Sequence, residues 1–228
     1  MRTLCIDIGG TGIKAIVLDA EGKPVTERSR IETPKPAEPA AVLATIDELI
    51  KAQGEFDRVS VGFPGVIAEG GVTKTAPNLD PSWAGFPFGQ RLEEKTGRPV
   101  KIANDAAIQG LGVIERKGLE VVITLGTGLG CCLYVDGQMA HLELAHHPFK
   151  KDKTYEDLVG NAARKKAGNE KWNKRVRKAI ETMEALFNYR RLYVGGGNTK
   201  HLDKDGLPEN VTVVENVAGL LGGIRLWQ

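Results

Sequence analysis

The sequence has 228 residues, of which 41% are hydrophobic and 26% charged, a composition that excludes a disordered or collagen-like chain. Its length suits one large domain or two small ones. The formal net charge of +2 is too small to indicate nucleic-acid binding by itself.

The first half of the chain alternates predicted strands with predicted helices. The strands are Thr3–Ile8, Ile13–Leu18, Val25–Ile31, Arg58–Gly62 and Val100–Ala103, and the helices are Ala40–Gln53 and Gly89–Lys95. Residues 64–87 are rich in Gly and Pro and predict a long ordered loop of the kind that often carries function. Asn104 and Asp105 stand where a strand ends and a helix begins.

The second half repeats the opening pattern of the first. Residues 123–139 and 6–24 both read as a strand, a glycine-rich turn, an apolar strand and then an Asp shortly before a Gly. The offset is near half the chain and indicates an internal duplication, although two matching hairpins could also arise by chance. The remaining predicted elements are helices 154–167 and 170–189, strand Arg191–Val194, turn 195–198, strand Val211–Val214 and helix 218–227.

Alternating strands and helices with a meander in each half predict an α/β protein of two domains with a cleft between them. The first domain is expected to comprise residues 1–104 and the returning helix 215–228, and the second residues 105–214.

Three glycine clusters follow predicted strands, at residues 9–12, 126–130 and 195–198. Successive backbone N–H groups in such turns can point at one phosphate, although tight hairpins also need glycine for its conformation alone. A Walker loop is absent because Ile13 and Ala15 flank Lys14, and the dinucleotide spacing is wrong because the second cluster leads into a strand.

The cysteines and the apolar runs indicate a soluble protein of the reducing cytoplasm. Cys5, Cys131 and Cys132 are odd in number and have no zinc-finger spacing. The first residues do not form a signal peptide, and the least polar run, Val121–Val135, is too short to span a bilayer. We expect no membrane partner.

Seven motifs occur in an order and spacing that resemble the ROK sugar-kinase family of the actin and hexokinase superfold, most of all its bacterial polyphosphate glucokinases. They are DIGGTGIK (7–14), VGFPGV (61–66), PNL (77–79), ND (104–105), LGTGLG (125–130), ELAHH (143–147) and VGGGN (194–198). The resemblance implies two ribonuclease-H-like domains. It also implies transfer of a phosphoryl group to the 6-hydroxyl of glucose, with Mg²⁺ and with ATP, inorganic polyphosphate or both as donor.

The resemblance assigns a role to particular residues. Asp105 is implied as the general base. The sugar would be bound by Asn78, Asn104, Asp105, Glu143, His146 and Glu156. The donor would be bound by Asp7, Gly9, Gly10, Thr11, Gly12, Lys14, Thr127, Gly128, Gly195, Gly196 and Asn198, with Asp7 also holding the metal through water.

Alternatives remain for several of these residues. Asn104 or Asp105 could merely cap a helix, and Lys14 could be a solvated strand residue. His146 could be an ordinary surface histidine. Asp157 could take the place of Glu156 in the local alignment.

A basic segment lies in the second half, where residues 150–178 contain eleven Lys or Arg and four Asp or Glu. It is either a solvated helix face or a track for polyphosphate. The residues of this polyanion patch are Arg164, Lys165, Lys171, Lys174, Arg175 and Lys178. No groove-reading motif is present, so we expect no nucleic-acid partner.

The sequence also departs from the family pattern. Many members carry a cysteine-rich zinc loop after the histidine, and this chain has no cysteine there, so we expect no zinc. Ala145 stands where many relatives have glycine, which leaves a kinase of fructose, mannose or an N-acetylated amino sugar as an alternative. A non-catalytic sugar-sensing regulator is a further alternative. Regulators of this kind carry an N-terminal DNA-binding extension, and its absence here counts against that alternative. Relatives are often dimers, and the apolar C-terminal helix is compatible with a homodimer.

Overall fold

The computed structural model describes residues 1–68, 71–75, 79–214 and 218–228. The chain divides into two compact units, Met1–Gly112 with Ala218–Gln228, and Val113–Val217. The first unit therefore extends further than the boundary at residue 104 that the sequence predicts. The reason is that the helix after residue 104 packs against the sheet and the last helix of the first unit.

The first unit is built on one five-stranded sheet with helices on both faces. Its elements are β1 Thr3–Ile8, β2 Ile13–Leu18, β3 Ser29–Ile31, α1 Pro39–Lys51, β4 Arg58–Phe63, β5 Gly65–Ala68, β6 Gly71–Thr75, α2 Phe88–Thr96, β7 Val100–Asn104, α3 Asp105–Leu111 and α7 Ala218–Arg225. The strand order is β3-β2-β1-β4-β7. Neighbours among β1, β2 and β3 are antiparallel, whereas β1, β4 and β7 run parallel.

The alternation of side chains along β1 explains why both faces of this sheet are covered. Leu4 and Ile6 point to one face, where they share a buried core with Val42 and Ile46 of α1. Cys5 points to the other face and packs with Ile224 of α7. Asp7 has the same parity as Cys5 and so points to the face of α7.

The last helix is fastened to the first unit by specific polar contacts. Ser60 Oγ donates to the carbonyl oxygen of Gly223 at 2.6 Å, and Trp227 Nε1 donates to Ser60 Oγ at 2.8 Å. Lys101 and Arg58 each lie about 5 Å from the centre of the Trp227 ring, a cation–π arrangement. The described part of α7 is thus used inside its own unit.

The second unit repeats the sheet of the first. Its elements are β8 Leu119–Leu125, β9 Leu129–Val135, β10 Gln138–His141, β11 Pro148–Lys150, β12 Lys153–Thr154, α4 Tyr155–Val159, α5 Asn161–Ala167, α6 Asn169–Phe187, β13 Arg191–Gly195 and β14 Val211–Val213. The order is β10-β9-β8-β13-β14, again with three antiparallel strands followed by two parallel ones. The predicted duplication is therefore present in the topology.

The core of the second unit lies between its sheet and α6. Val121 and Ile123 of β8 pack with Trp172 and Ile180 of α6. Trp172 is fully buried, and its Nε1 donates to the carbonyl oxygen of Val159 at 2.7 Å. Although Trp172 lies within the basic segment of the sequence, it is a core residue and not a surface one.

Beyond shifts of one or two residues at element ends, three predicted elements differ from the observed ones. Strand β3 is shorter than Val25–Ile31 because the Thr26 side chain accepts the Val17 N–H at 3.0 Å and so interrupts the backbone ladder. Within the predicted loop 64–87, β5 and β6 form an antiparallel hairpin whose backbone groups pair with each other. The predicted helix 154–167 is two helices, since Gly160 is extended, with a ψ of 167°.

Candidate functional site

The carboxyl ends of the parallel strands in the first unit meet at one edge of the sheet. Asp7 of β1 is in register with Gly62 of β4, and Gly62 is in register with Ala103 of β7. Asp105 is the first residue of α3 and follows the last residue of β7, Asn104. A Cβ atom at Gly62 would lie 3.7 Å from Asp105 Cα, so β4 carries no side chain beside Asp105 at this position. This edge is where α/β sheets commonly bind ligands.

The environment of Asp105 favours its neutral form. Burial raises the pKa of the Asp105 carboxyl to about 6, and the negative charge of Asp7 adds to the rise. A hydrogen bond from the Ala106 N–H, at 2.7 Å from Oδ1, acts in the opposite direction. A carboxylate with such a pKa can accept a proton near neutral pH, which is what a general base requires.

Asn104 has a structural role that the sequence left as an alternative. Its Oδ1 accepts the Ala106 N–H at 3.0 Å and so caps α3. Its Nδ2 donates to the carbonyl oxygen of Gly65 at 3.1 Å. Counted over the described residues, these contacts leave one amide hydrogen and one lone pair of the Asn104 amide for a ligand.

The first glycine turn, residues 9–12, joins β1 to β2. The Gly9 N–H donates to the Gly12 carbonyl oxygen at 3.1 Å. Just beyond the turn, Lys14 Nζ lies 2.9 Å from Asp7 Oδ2. Lys14 therefore has a charged partner, the Asp7 carboxylate.

Arg30 also contacts this turn, and the sequence motifs did not include it. Its Nη2 donates to the Thr11 carbonyl oxygen at 2.8 Å. The signal that could have revealed it is the register of the β2–β3 hairpin, which places Arg30 opposite Lys14.

In the second unit, the other two glycine clusters form one structure. Asn198 Nδ2 donates to the Gly126 carbonyl oxygen at 2.9 Å, and the Asn198 N–H donates to Leu125 at the same distance. Gly196 has a φ of +94°, and a side chain there would meet the Leu125 backbone. Gly195 ends β13 immediately before it. The sequence predicts two separate phosphate turns at residues 126–130 and 195–198, whereas hydrogen bonds join these two clusters in the structure.

Glu156 lies against the turn at residues 126–128. Its carboxylate occupies the space that a side chain at Gly128 would fill. Beside it, the Asn161 N–H donates to the Thr127 carbonyl oxygen at 3.2 Å. Asp157, the alternative residue, is used in a capping box with Thr154, with reciprocal distances of 3.1 and 3.2 Å.

Glu143 and His146 are placed close together by a short 3-10 turn, Leu144–His146. His146 Nε2 and Glu143 Oε2 are 4.0 Å apart, and both side chains are more than half exposed. Their polar atoms are accessible to a ligand. Asn78, the remaining sugar-binding candidate, lies outside the described residues.

The basic segment divides into paired and unpaired cations. Lys174 pairs with Glu170 at 2.8 Å, and Lys178 pairs with Glu181 at 3.0 Å. Arg164 donates to two asparagine side chains, and Arg175 to the Leu158 carbonyl oxygen. Lys165 and Lys171 are exposed and make no ion pair within the described part of the chain.

Two properties bear on membranes and metals. No helix among the described residues has both the length and the hydropathy needed to cross a bilayer. Over the same ranges, no three His, Cys, Asp or Glu side chains gather into a group that could hold a metal ion.

Comparison with known proteins relates the chain to sugar kinases. The family model described as "ROK family" matches residues 3–143. The polyphosphate glucokinase of Mycobacterium tuberculosis is 32% identical over 239 residues, covering 95% of this chain and 88% of the relative. The crystal structure of an inorganic polyphosphate/ATP-glucomannokinase from Arthrobacter sp. strain KM superposes with a TM-score of 0.84 and 31% identity, covering 100% and 99% of the two chains. An N-acetylmannosamine kinase of Vibrio cholerae is 33% identical over 144 residues, covering 61% of this chain and 50% of the relative.

Two five-stranded sheets of identical topology, with these relatives, define a phosphotransferase of the hexokinase type that acts on sugars. The chain belongs to the ROK family.

Proposed function

We propose that this sugar kinase is a glucokinase that phosphorylates the 6-hydroxyl of glucose, with polyphosphate, ATP or both as donor. The observation that carries the proposal is Asp105, a carboxyl group with a pKa of about 6 at the same sheet edge as Asp7, whose charge acts on it. The similarity to the polyphosphate glucokinase and the polyphosphate/ATP-glucomannokinase supports the choice of sugar and donor.

In the proposed reaction, Asp105 accepts the proton of the sugar hydroxyl while the hydroxyl oxygen attacks the terminal phosphorus of the donor. The bond between that phosphorus and the bridging oxygen breaks, and the bridging oxygen leaves with the bonding electrons. Lys14 and the backbone N–H groups of turn 9–12 would stabilise the charge of the donor.

The residues of the first unit are compatible with Mg²⁺ bound mainly through water and donor phosphates. Asp7 supplies a partly exposed carboxylate, the hard oxygen ligand that Mg²⁺ prefers. Mg²⁺ often needs only one or two protein carboxylates, so the absence of a three-residue cluster among the described residues does not count against it. When bound, the ion would neutralise phosphate charge.

For the sugar, we propose Asn104, Glu143, His146 and Glu156 as hydrogen-bonding residues, together with Asn78. Amides and carboxylates suit hydroxyl groups that both donate and accept. Mannose is the second candidate substrate, because the Arthrobacter relative is named a glucomannokinase.

A coupled assay tests the proposal. Glucose, mannose, fructose and N-acetylmannosamine are each supplied with ATP and, separately, with polyphosphate, and Asp105→Asn serves as the inactive control. We expect the highest kcat/KM with glucose. A higher value with another hexose would replace the assigned substrate, and glucose binding without turnover would favour a sugar-sensing regulator.

A further inference from the structure

A charged row crosses the first sheet beside the glycine turn. Asp7 is in register with Lys14, and Lys14 is in register with Arg30. Directly paired residues of antiparallel strands share a face, so these three side chains lie on the same side of the sheet. Arg30 ends the row and reaches the turn, where it bonds to Thr11.

Gly12 allows the Arg30 guanidinium to lie against the turn. A Cβ atom at position 12 would be 2.5 Å from Arg30 Nε, 2.6 Å from Nη2 and 2.7 Å from Cζ. Gly12 does not have a positive φ, so the backbone conformation does not demand glycine. A larger residue at position 12 would therefore displace the guanidinium from the turn.

The two cations of the row differ in their charge balance. Lys14 is paired with the Asp7 carboxylate at 2.9 Å. Arg30 is exposed, and no carboxylate of the described ranges pairs with it. A guanidinium has five N–H donors in a planar fork that matches phosphate oxygens. Among the residues that the structure describes, its one hydrogen bond is to Thr11, which leaves donors for a ligand at the turn.

We infer that Arg30 is a donor-binding residue whose guanidinium binds the phosphoryl oxygens of a condensed phosphate, the triphosphate of ATP or the end of polyphosphate. This inference rests on the proposed function, because it takes turn 9–12 to be the donor site. Gly12 then acts as a positioning residue that lets Arg30 lie against the turn.

Isothermal titration calorimetry with tripolyphosphate in magnesium buffer tests the inference, with glucose titrated in parallel. The variants are Arg30→Gln and Arg30→Lys, and Arg28→Gln is the matched control because Arg28 is an exposed arginine of the same segment. We expect Arg30→Gln to weaken tripolyphosphate binding about tenfold or more, as the loss of charge-assisted hydrogen bonds implies. Arg30→Lys should recover part of the loss, and glucose affinity should change less than twofold.

Four results would overturn the inference. Tripolyphosphate affinity could be unchanged in Arg30→Gln, or equally reduced in Arg28→Gln, which would indicate a general charge effect. Glucose and tripolyphosphate affinities could fall together with the melting temperature, which would make Arg30 a purely structural residue. If the wild-type protein binds glucose but neither tripolyphosphate nor ATP, the proposed kinase function fails as well, and this result is distinct from the other three.

Discussion

The carboxylate of Glu156 fills the space where Gly128 lacks a side chain. A Cβ atom built at Gly128 would overlap Glu156 Oε2 and would lie 2.9 Å from Glu156 Cδ. Glu156 of α4 therefore packs directly against the turn at 126–128. A residue larger than glycine at position 128 would move the Glu156 carboxylate.

Gly128→Ala is expected to raise the KM for the sugar while leaving the fold intact. The added methyl group meets the flexible end of a side chain and not the backbone, so Glu156 can turn away at little energetic loss. Steady-state kinetics and thermal melting check this. In a double-mutant cycle, Gly128→Ala should add no further defect to Glu156→Gln, and additive effects would show that the methyl group acts elsewhere.

Gly196→Ala is expected to destabilise the second unit by at least the about 1–3 kcal/mol that local backbone strain usually costs. The φ of +94° is strained for alanine, and its Cβ atom would lie 2.6 Å from the Leu125 nitrogen. Gly197→Ala is the control, because an added Cβ atom there has no neighbour within 4 Å. Urea unfolding of the two variants measures the difference, and equal stabilities would contradict the explanation.

The Asp105→Asn variant is expected to lose about 10²–10⁴-fold in kcat, the usual contribution of a general base. Asparagine keeps the size of the side chain but cannot accept the proton. The assay with glucose and each donor measures the loss. Near-normal turnover would exclude Asp105 as the base.

The same variant is expected to be more stable than the wild type at pH 8. The pKa of Asp105 is about 6 in the folded protein against an ordinary 3.8, so folding disfavours the ionised form. This destabilisation is present above pH 6 and disappears as the pH falls below about 4. The pKa difference sets an upper limit of about 3 kcal/mol for the stabilisation by Asp105→Asn. The free energies of unfolding of the wild type and of Asp105→Asn, measured at pH 8 and at about pH 4, check this. A stability difference between the two proteins that does not depend on pH would contradict it.

The rate of phosphoryl transfer is expected to fall as the pH is lowered through about 6, because Asp105 must be ionised to accept a proton. The profile of kcat/KM for glucose against pH measures this. Asp7→Asn should move the acidic limb to lower pH, since the Asp7 charge contributes to the raised pKa. If Asp7→Asn leaves the acidic limb of the profile at the same pH, the charge of Asp7 does not contribute to the raised pKa of Asp105.

Neutralising the unpaired lysines of the basic segment is expected to raise the KM for polyphosphate more than that for ATP. The test variant is Lys165→Gln with Lys171→Gln, and the comparison is Lys174→Gln with Lys178→Gln. The latter pair is already balanced by Glu170 and Glu181, so it should have the smaller effect. Equal changes in the KM of both donors would leave the segment without a role in polyphosphate binding.

Most strands of the two sheets could be predicted because the signal for each strand lies in its own residues. The bounds of β1 and β2 were predicted to the residue, since an apolar run on either side of a glycine cluster needs no distant information. The shortened β3 was not predictable, because it depends on the Thr26 side chain reaching Val17 across the sheet.

The contacts of the candidate site residues could not be predicted from the sequence. The motif contains Asp7 and Lys14, and only the folded sheet shows that they pair. Asp157 is an alternative to Glu156 in the sequence, and only the structure shows that Asp157 forms a capping box with Thr154. Arg30 belongs to no motif, and its place at the turn follows only from the register of β2 and β3.

The return of α7 to the first unit has a consequence for biosynthesis. A ribosome must complete the whole second unit before it makes the helix that covers Cys5 and Ser60. At typical elongation rates that interval lasts roughly 5–20 s, during which one face of the nascent sheet lacks its cover. The half of the protein that is translated first is thus the half that matures last, and chaperones have that time to bind the uncovered face.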